Sequence, residues 1–91
     1  GLDDIGEFMQ NNPNSYVVLA GFADSVGDQE YNLGLSRRRA ESAAAYLQKS
    51  ANIDADRIVV DWFGKLNPVA DNGTPEGRRL NRRVESAVGF K

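Results

Sequence analysis

Neither cysteine nor histidine occurs anywhere in these 91 residues. The absence of cysteine excludes a disulfide framework and a cysteine metal site. The absence of histidine removes histidine bases, Ser-His-Asp triads and histidine zinc sites, which are the usual routes to hydrolytic catalysis. The sequence therefore argues against an enzyme and predicts no metal and no cofactor.

Long apolar runs and an excess of one charge are also missing. No stretch of about 18 apolar residues could span a membrane, and the chain does not open with a basic-then-apolar signal segment. We therefore expect any membrane attachment to come through segments outside this chain. The net charge of −2 gives no long-range attraction to nucleic-acid phosphates, so no nucleic-acid partner is predicted.

What remains has the balance of a single small domain over residues 1–91, with 41% hydrophobic and 26% charged residues. Apolar periodicity and turn residues predict a helix over 2–10, a strand over 15–21, a helix from an N-cap at Asp28 to about Lys49, and strands over 57–64 and 82–90. Residues 67–77 have the composition of a loop. This order of elements is typical of an α/β or α+β fold.

The long predicted helix places Arg39 on its apolar face. On a helical wheel that starts at Tyr31, Arg39 falls near ~80°, between Leu35 near ~40° and Ala43 near ~120°. A guanidinium cannot give up its charge, and burying it unpaired would cost several kcal/mol. We therefore expect a carboxylate partner for Arg39, and Asp24, just beyond the first strand, is the nearest candidate.

Two interpretations of this pair remain open. In the first, Asp24 and Arg39 form a structural ion pair that fastens the strand end to the helix. In the second, the two charges and the free N–H groups of the helix N-terminus form a site for a ligand that carries both an ammonium and a carboxylate. A calcium site is disfavoured, because the turn "DSVGD" lacks the dense oxygen spacing of a calcium loop.

Two motifs in this sequence carry a family resemblance. The stretch "GFADSVGDQEYNLGLSRRRA" is similar to the pattern G-H-[TA]-D, two residues, G, then N, two residues, L-S, two residues, R-A. The residues in register with this pattern are Gly21, Asp24, Gly27, Asn32, Leu35, Ser36, Arg39 and Ala40. The stretch "NPVADNGTPEGRRLNRRVE" is similar to a second segment of the same family. The chain thus resembles the OmpA-like domain, the peptidoglycan-binding module shared by OmpA, Pal and MotB proteins.

The resemblance implies a βαβαββ fold with a mixed sheet packed against helices, whose first strand is absent from this chain. It also implies non-catalytic binding of the peptidoglycan stem peptide through diaminopimelate, which would anchor an outer-membrane or envelope protein to the wall in the periplasm. Asp24 would receive the ligand's ammonium and Arg39 its terminal carboxylate. The other residues expected to line or adjoin the pocket are Phe22, Ala23, Gly27, Asn32, Leu35 and Arg83.

Departures from the family pattern and open alternatives accompany these expectations. Phe22 stands where the family usually has histidine, and Ala23 replaces the common threonine. Arg82 and Arg83 are interpreted either as ligand contacts or as ion-pair partners that hold the last strand. A wall hydrolase acting through Asp24 and Glu30 is disfavoured, because a nearby arginine lowers the pKa of Asp24.

A third alternative is an interaction or oligomerisation domain that keeps the motif only for folding. Without the family's first strand, the last strand would present an open edge, and open edges recruit other chains. The sequence therefore also predicts a possible homodimer.

Overall fold

A mixed sheet of three strands forms the centre of the fold. The computed structural model describes all 91 residues. In chain order the elements are α1 (Leu2–Asn11), β1 (Ser15–Gly21), α2 (Gln29–Ala51), a 3-10 turn (Ala55–Arg57), β2 (Ile58–Trp62), α3 (Pro75–Asn81) and β3 (Val84–Phe90). The sheet order is β2-β1-β3, with β2 parallel and β3 antiparallel to β1.

The core lies between one face of this sheet and the helices α1 and α2. Alternate side chains of β1 point to this face, where Val17 and Leu19 are fully buried. They meet Met9 of α1 and Leu47 of α2, both of which are also fully buried. Burial of these apolar side chains, at about 1.5–3 kcal/mol each, is the main force that fixes the helices on the sheet.

The five elements expected from the sequence are all present, with ends shifted by a few residues at most. The predicted N-cap is confirmed, since the Asp28 side chain accepts a hydrogen bond from the Tyr31 N–H at 2.8 Å. The end of α1 is capped by a residue from far along the chain. Arg57 donates to the carbonyls of Met9, Asn12 and Ser15 at the end of α1.

The buried face of α2 differs from the one that the apolar pattern predicts. Tyr31 and Tyr46, expected on the core side, are 58% and 45% exposed. The residues of α2 that are buried are Asn32, Ser36, Ala40, Ala43, Ala44 and Leu47. Their centre lies at ~150° on the helical wheel that starts at Tyr31, so Arg39, at ~80°, sits at the margin and is only half-buried.

Small residues decide which side of α2 meets the sheet. A Cβ added at Gly21, the last residue of β1, would lie only 1.9 Å from the backbone carbonyl oxygen of Ser36 and 3.3 Å from the Ala40 side chain. The helix therefore crosses β1 almost in backbone contact, and aromatic rings cannot enter this interface. The hydrophobic pattern therefore predicts the wrong buried face of α2, because steric fit against β1 selects the face with small residues.

The segment expected to be a loop contains a helix, α3. Thr74 caps it by accepting from the Gly77 N–H at 2.9 Å, and Pro75 occupies the first turn. The buried residues of α3 are Gly77 and Asn81, so the helix has no apolar stripe that a periodicity search could detect. Thr74 followed by Pro75 and Glu76 was the available start signal.

Asn81 links α3 to the loop before it. Its side chain is fully buried. Its Oδ1 accepts from the N–H groups of Val69 and Ala70, and its Nδ2 donates to the Ala70 carbonyl and to Asn72 Oδ1. All the hydrogen-bonding capacity of the amide is used within the protein, so this part of the second motif builds scaffold.

The strand β3 forms one edge of the sheet. At the two ends of its ladder with β1, the Arg83 carbonyl accepts from the Phe22 N–H and the Lys91 N–H donates to the Asn14 carbonyl. By the alternation of an antiparallel ladder, the backbone groups of the intervening residues Val84, Ser86, Val88 and Phe90 therefore point to the open edge.

None of the helices is long and apolar enough to cross a bilayer.

Two glycines provide a matched test of the contact between α2 and β1. We expect Gly21→Ala to destabilise the fold by about 3 kcal/mol, because its methyl group would collide with backbone. Gly34→Ala, within α2, meets only the flexible end of Arg38 at 3.6 Å and should stabilise by about 0.5–1 kcal/mol. Urea unfolding of both variants measures the difference; equal effects would contradict the close crossing.

Candidate functional site

The candidate site begins where β1 ends. The Phe22 N–H donates to the Arg83 carbonyl at 2.8 Å and the Ala23 N–H donates to the Gly64 carbonyl at 2.7 Å, so these two residues extend the central strand between its neighbours. Asp24 is the first residue beyond that pairing. The sheet thereby fixes the position from which the Asp24 carboxylate projects.

Asp24 is held by two hydrogen bonds. The Val26 N–H donates to Oδ1 at 2.9 Å, and Arg82 Nη1 donates to Oδ2 at 2.8 Å, which makes an ion pair. The Asp24 side chain is 12% exposed and that of Arg82 is 39% exposed. Burial by itself raises the pKa of Asp24, but the bonds from Arg82 and Val26 and the positive charges of Arg82 and Arg78 outweigh it, so the pKa lies below its ordinary value.

The expected ion pair between Asp24 and Arg39 is wrong, because Asp24 takes Arg82 as its partner. Arg39 forms no ion pair; its Nη1 donates to the Phe22 carbonyl at 3.1 Å. A guanidinium needs a carboxylate partner when it is fully buried. Arg39 is only half-buried at the margin of α2, so water and one carbonyl suffice.

Asp24 and Arg39 nevertheless line the same cavity, of about 210 Å³. Its walls are formed by Ala23, Asp24, Val26, Tyr31, Asn32, Leu35, Arg39 and Arg82. Five of these residues were expected at the site from the sequence. Val26 and Tyr31 were not named. Arg82, for which ligand contact and a structural ion pair were both left open, reaches this strand end from 58 residues further along the chain.

Asn32 is the most deeply buried polar group of the cavity wall. It is fully buried, and its Nδ2 donates to the carbonyls of Val26 at 2.9 Å and Gly27 at 3.5 Å. Gly27 has φ +88°, a conformation that favours glycine. Asn32 Oδ1 has no hydrogen-bond partner, and a donor that reached it would relieve the cost of its burial.

Phe22, Gly27 and Arg83 lie beside the cavity but do not line it. The Phe22 ring is stacked on Phe63, with centroids 5.3 Å apart, and the Arg83 guanidinium lies 3.8 Å above the Phe22 ring. Arg83 also pairs with Glu85 at 2.7 Å. The residue that replaces the family's usual histidine therefore packs as an apolar layer beneath an arginine, and only its carbonyl faces Arg39.

The chemistry available in this cavity is recognition of charge. It offers a carboxylate of lowered pKa, two guanidinium groups and the buried amide of Asn32. Glu30 is exposed and does not line the cavity. The arrangement suits a ligand that carries both signs of charge, and it offers no second carboxyl group with which Asp24 could share acid–base work.

Comparisons with known proteins identify relatives of this chain. A model of the OmpA family matches residues 1–82. Outer membrane protein A of Bordetella avium is 45% identical over 87 residues, which is 96% of this chain and 44% of that protein. The peptidoglycan-binding protein ArfA of Mycobacterium bovis is 37% identical over 96% of this chain and 26% of its own length.

A solved structure shows the same fold. The peptidoglycan-associated lipoprotein of Burkholderia pseudomallei superposes with a TM-score of 0.90 at 25% identity, over 97% of this chain and 74% of that one. The chain thus spans less than half the length of the curated relatives named above. The expected mixed sheet packed against helices is confirmed.

The ion pair between Asp24 and Arg82 makes a pH-dependent prediction. Because the folded-state pKa of Asp24 lies below its ordinary value of 3.8, the ionised carboxylate adds stability that is fully present above that pH and is lost as the pH falls through the folded-state pKa. Arg82→Gln leaves the carboxylate buried without its charged partner. At neutral pH we expect it to cost about 1 kcal/mol, the low end for such a loss because Arg82 is partly exposed.

This deficit should shrink as the pH falls, because protonation of Asp24 removes the charge that Arg82 neutralises. The matched control is Arg79→Gln, since Arg79 is 65% exposed and 3.9 Å from its acidic partner Glu76. Urea unfolding from about pH 7 to about pH 2.5 provides the measurement. A deficit that does not change with pH would show that Arg82 stabilises the fold through packing alone.

Proposed function

This chain belongs to the OmpA family, and from that premise we propose that it binds peptidoglycan non-covalently through the diaminopimelate of the stem peptide. In this proposal the domain works in the periplasm and holds an outer-membrane or other envelope protein to the cell wall. The observation that carries the proposal is one cavity that presents both the Asp24 carboxylate and the Arg39 guanidinium.

Both charged groups have hydrogen-bonding capacity left for a ligand. Each oxygen of Asp24 accepts one bond from the protein and keeps a further lone pair. Arg39 uses Nη1 on the Phe22 carbonyl, which leaves most of the donors of its planar fork free for a carboxylate. The ammonium and carboxylate at the end of a diaminopimelate side chain complement this pair.

Arg82 supports the same role. Its bond to Asp24 favours the ionised carboxylate, so the site is negative where the ammonium would bind across the neutral pH range. Arg82 also lines the cavity. It therefore adds a second positive charge near Arg39, where the ligand carboxylate would bind.

The relatives point to the same class of ligand and location. Their names describe a peptidoglycan-binding protein, a peptidoglycan-associated lipoprotein and an outer membrane protein. The site supports a non-catalytic role, because a carboxyl group of lowered pKa is a poor general acid.

A second candidate function is self-association through β3. Its outer edge is unpaired, and two side chains on its helix-facing side, Val88 and Phe90, are 40% and 61% exposed. An open edge beside exposed apolar side chains is a template for pairing with another strand. In this alternative the domain forms a homodimer, and the charged cavity serves folding only.

The first functional prediction concerns the ligand. A stem peptide with lysine in place of diaminopimelate keeps the ammonium for Asp24 but lacks the far carboxylate, so Arg39 gains no partner. We expect it to bind about 2 kcal/mol more weakly, roughly thirtyfold. Calorimetric titration with the two peptides measures this ratio, and equal affinities would remove Arg39 from the site.

The second functional prediction concerns the protein. Asp24→Asn keeps the shape of the side chain but removes the charge, and Arg39→Lys keeps the charge but loses the planar fork. We expect both variants to lose stem-peptide binding while they unfold cooperatively. The matched control Arg37→Lys should bind normally, because Arg37 lies over Trp62 and pairs with Glu41 away from the cavity. Wild-type affinity in either variant would place the ligand elsewhere.

The dimer alternative has its own test. Lysine on a strand edge opposes pairing with another strand, so Val88→Lys should reduce self-association measured by sedimentation velocity at rising protein concentration. Val59→Lys, at a similarly exposed valine of the other edge strand, β2, is the control. A wild-type protein that stays monomeric throughout would eliminate this second function.

A further inference from the structure

A second and larger cavity, of about 400 Å³, adjoins the first. We call it the arginine cleft, because Arg38, Arg39, Arg82 and Arg83 all line it. Leu35, Arg39 and Arg82 line both cavities and form the wall between them. A ligand that occupied the first cavity would therefore extend naturally into the second.

The arginine cleft carries a net positive charge. Arg82 is paired with Asp24 at 2.8 Å and Arg83 with Glu85 at 2.7 Å. Neither Arg38 nor Arg39 forms an ion pair, and no acidic residue lines the cleft. Two guanidinium charges thus remain without a counter-charge in one concave surface of a chain whose overall net charge is −2.

Two of these guanidinium groups are held in place by the backbone. Arg83 donates to the carbonyls of Asn67 and Asn81 and lies against the Phe22 ring. Arg39 donates to the Phe22 carbonyl. Groups that are already fixed lose little conformational entropy when an anion binds, which distinguishes this cleft from a chance cluster of mobile surface arginines.

The other walls of the cleft suit a small polar group next to aliphatic chain. Leu35 and Val84 supply apolar surface, and Ser42 supplies a hydroxyl. Apolar walls lower the local dielectric and strengthen the attraction between an arginine and an anion. The planar fork of arginine matches a carboxylate through two parallel hydrogen bonds.

We propose that the arginine cleft binds a second carboxylate of the same stem peptide that the Asp24 cavity holds. A glutamate linked to its neighbour through the side chain leaves its α-carboxylate free, and such a residue next to diaminopimelate would present this group on the adjoining part of the same ligand. This inference rests on the proposed function, because it extends the ligand bound there. Of the two arginines without an ion pair, Arg39 lines both cavities, whereas Arg38 lines only the arginine cleft.

The test compares two diaminopimelate stem peptides that differ in one group, the glutamate α-carboxylate, which is free in one and amidated in the other. We expect the wild-type protein to bind the free acid about tenfold more tightly, as for one charge-assisted hydrogen-bonded contact. Arg38→Gln should abolish that preference by weakening only the free acid. Arg37→Gln removes the same charge one residue away, outside the cleft, and should leave both affinities unchanged.

Each of the other outcomes contradicts either the second carboxylate site or the proposed function as a whole. If the wild-type protein binds both peptides equally, or if the two arginine variants behave alike, the second carboxylate site is overturned while the Asp24 cavity stands. If the wild-type protein binds neither peptide, the proposed function fails and this inference fails with it. Inorganic phosphate added as competitor should weaken the free acid more than the amide; if phosphate occupies the cleft and the acid shows no preference, the anion is a phosphate and not a stem carboxylate.

Discussion

The near-contact between the backbones of β1 and α2 at Gly21 and Ser36 positions everything else in the site. Because no side chain fits between them, α2 lies so close to the end of β1 that its polar residues reach the strand end directly. Ser36 Oγ accepts from the Gly64 N–H at 3.0 Å, and Arg39, one turn later, reaches the Phe22 carbonyl. A helix held one side chain further away could make neither contact, and the cavity between strand end and helix would not close.

The second motif of the sequence divides its work between scaffold and site. The side-chain amide of Asn81 forms hydrogen bonds with the preceding loop. Arg82, the next residue, donates instead to the Asp24 carboxylate just beyond β1. Adjacent residues can have such different roles because α3 ends between them and the chain turns into β3. The ion pair that results ties the last helix to the first strand and also sets the charge of the cavity.

Taken together, the two cavities form one continuous surface with a single buried carboxylate at one end and four arginines around it. Such a surface is suited to hold a charged peptide without changing it. Under the proposed function, the wall polymer displays many copies of the same peptide, so modest affinity per copy would be sufficient when several copies of the domain bind at once.

The sequence by itself determined most of the elements and most of the site's members. Local signals suffice for the cap at Asp28 and the β-branched run of β1. The charge argument indicated Asp24 and Arg39, and the family resemblance implied the further cavity residues Ala23, Asn32 and Leu35. The helix α3 was not predicted, because its buried residues are a glycine and an asparagine, which produce no apolar periodicity in the sequence.

Tertiary structure alone decided the partner of Asp24 and the buried side of α2. The carboxylate could pair with any arginine that the fold brought near, and the fold brought Arg82, which lies 58 residues away in sequence. The hydrophobic pattern favoured the aromatic side of α2, but the close crossing at Gly21 admits only its small residues. Both outcomes depend on distances between segments far apart in the chain, and neither periodicity nor composition contains that information.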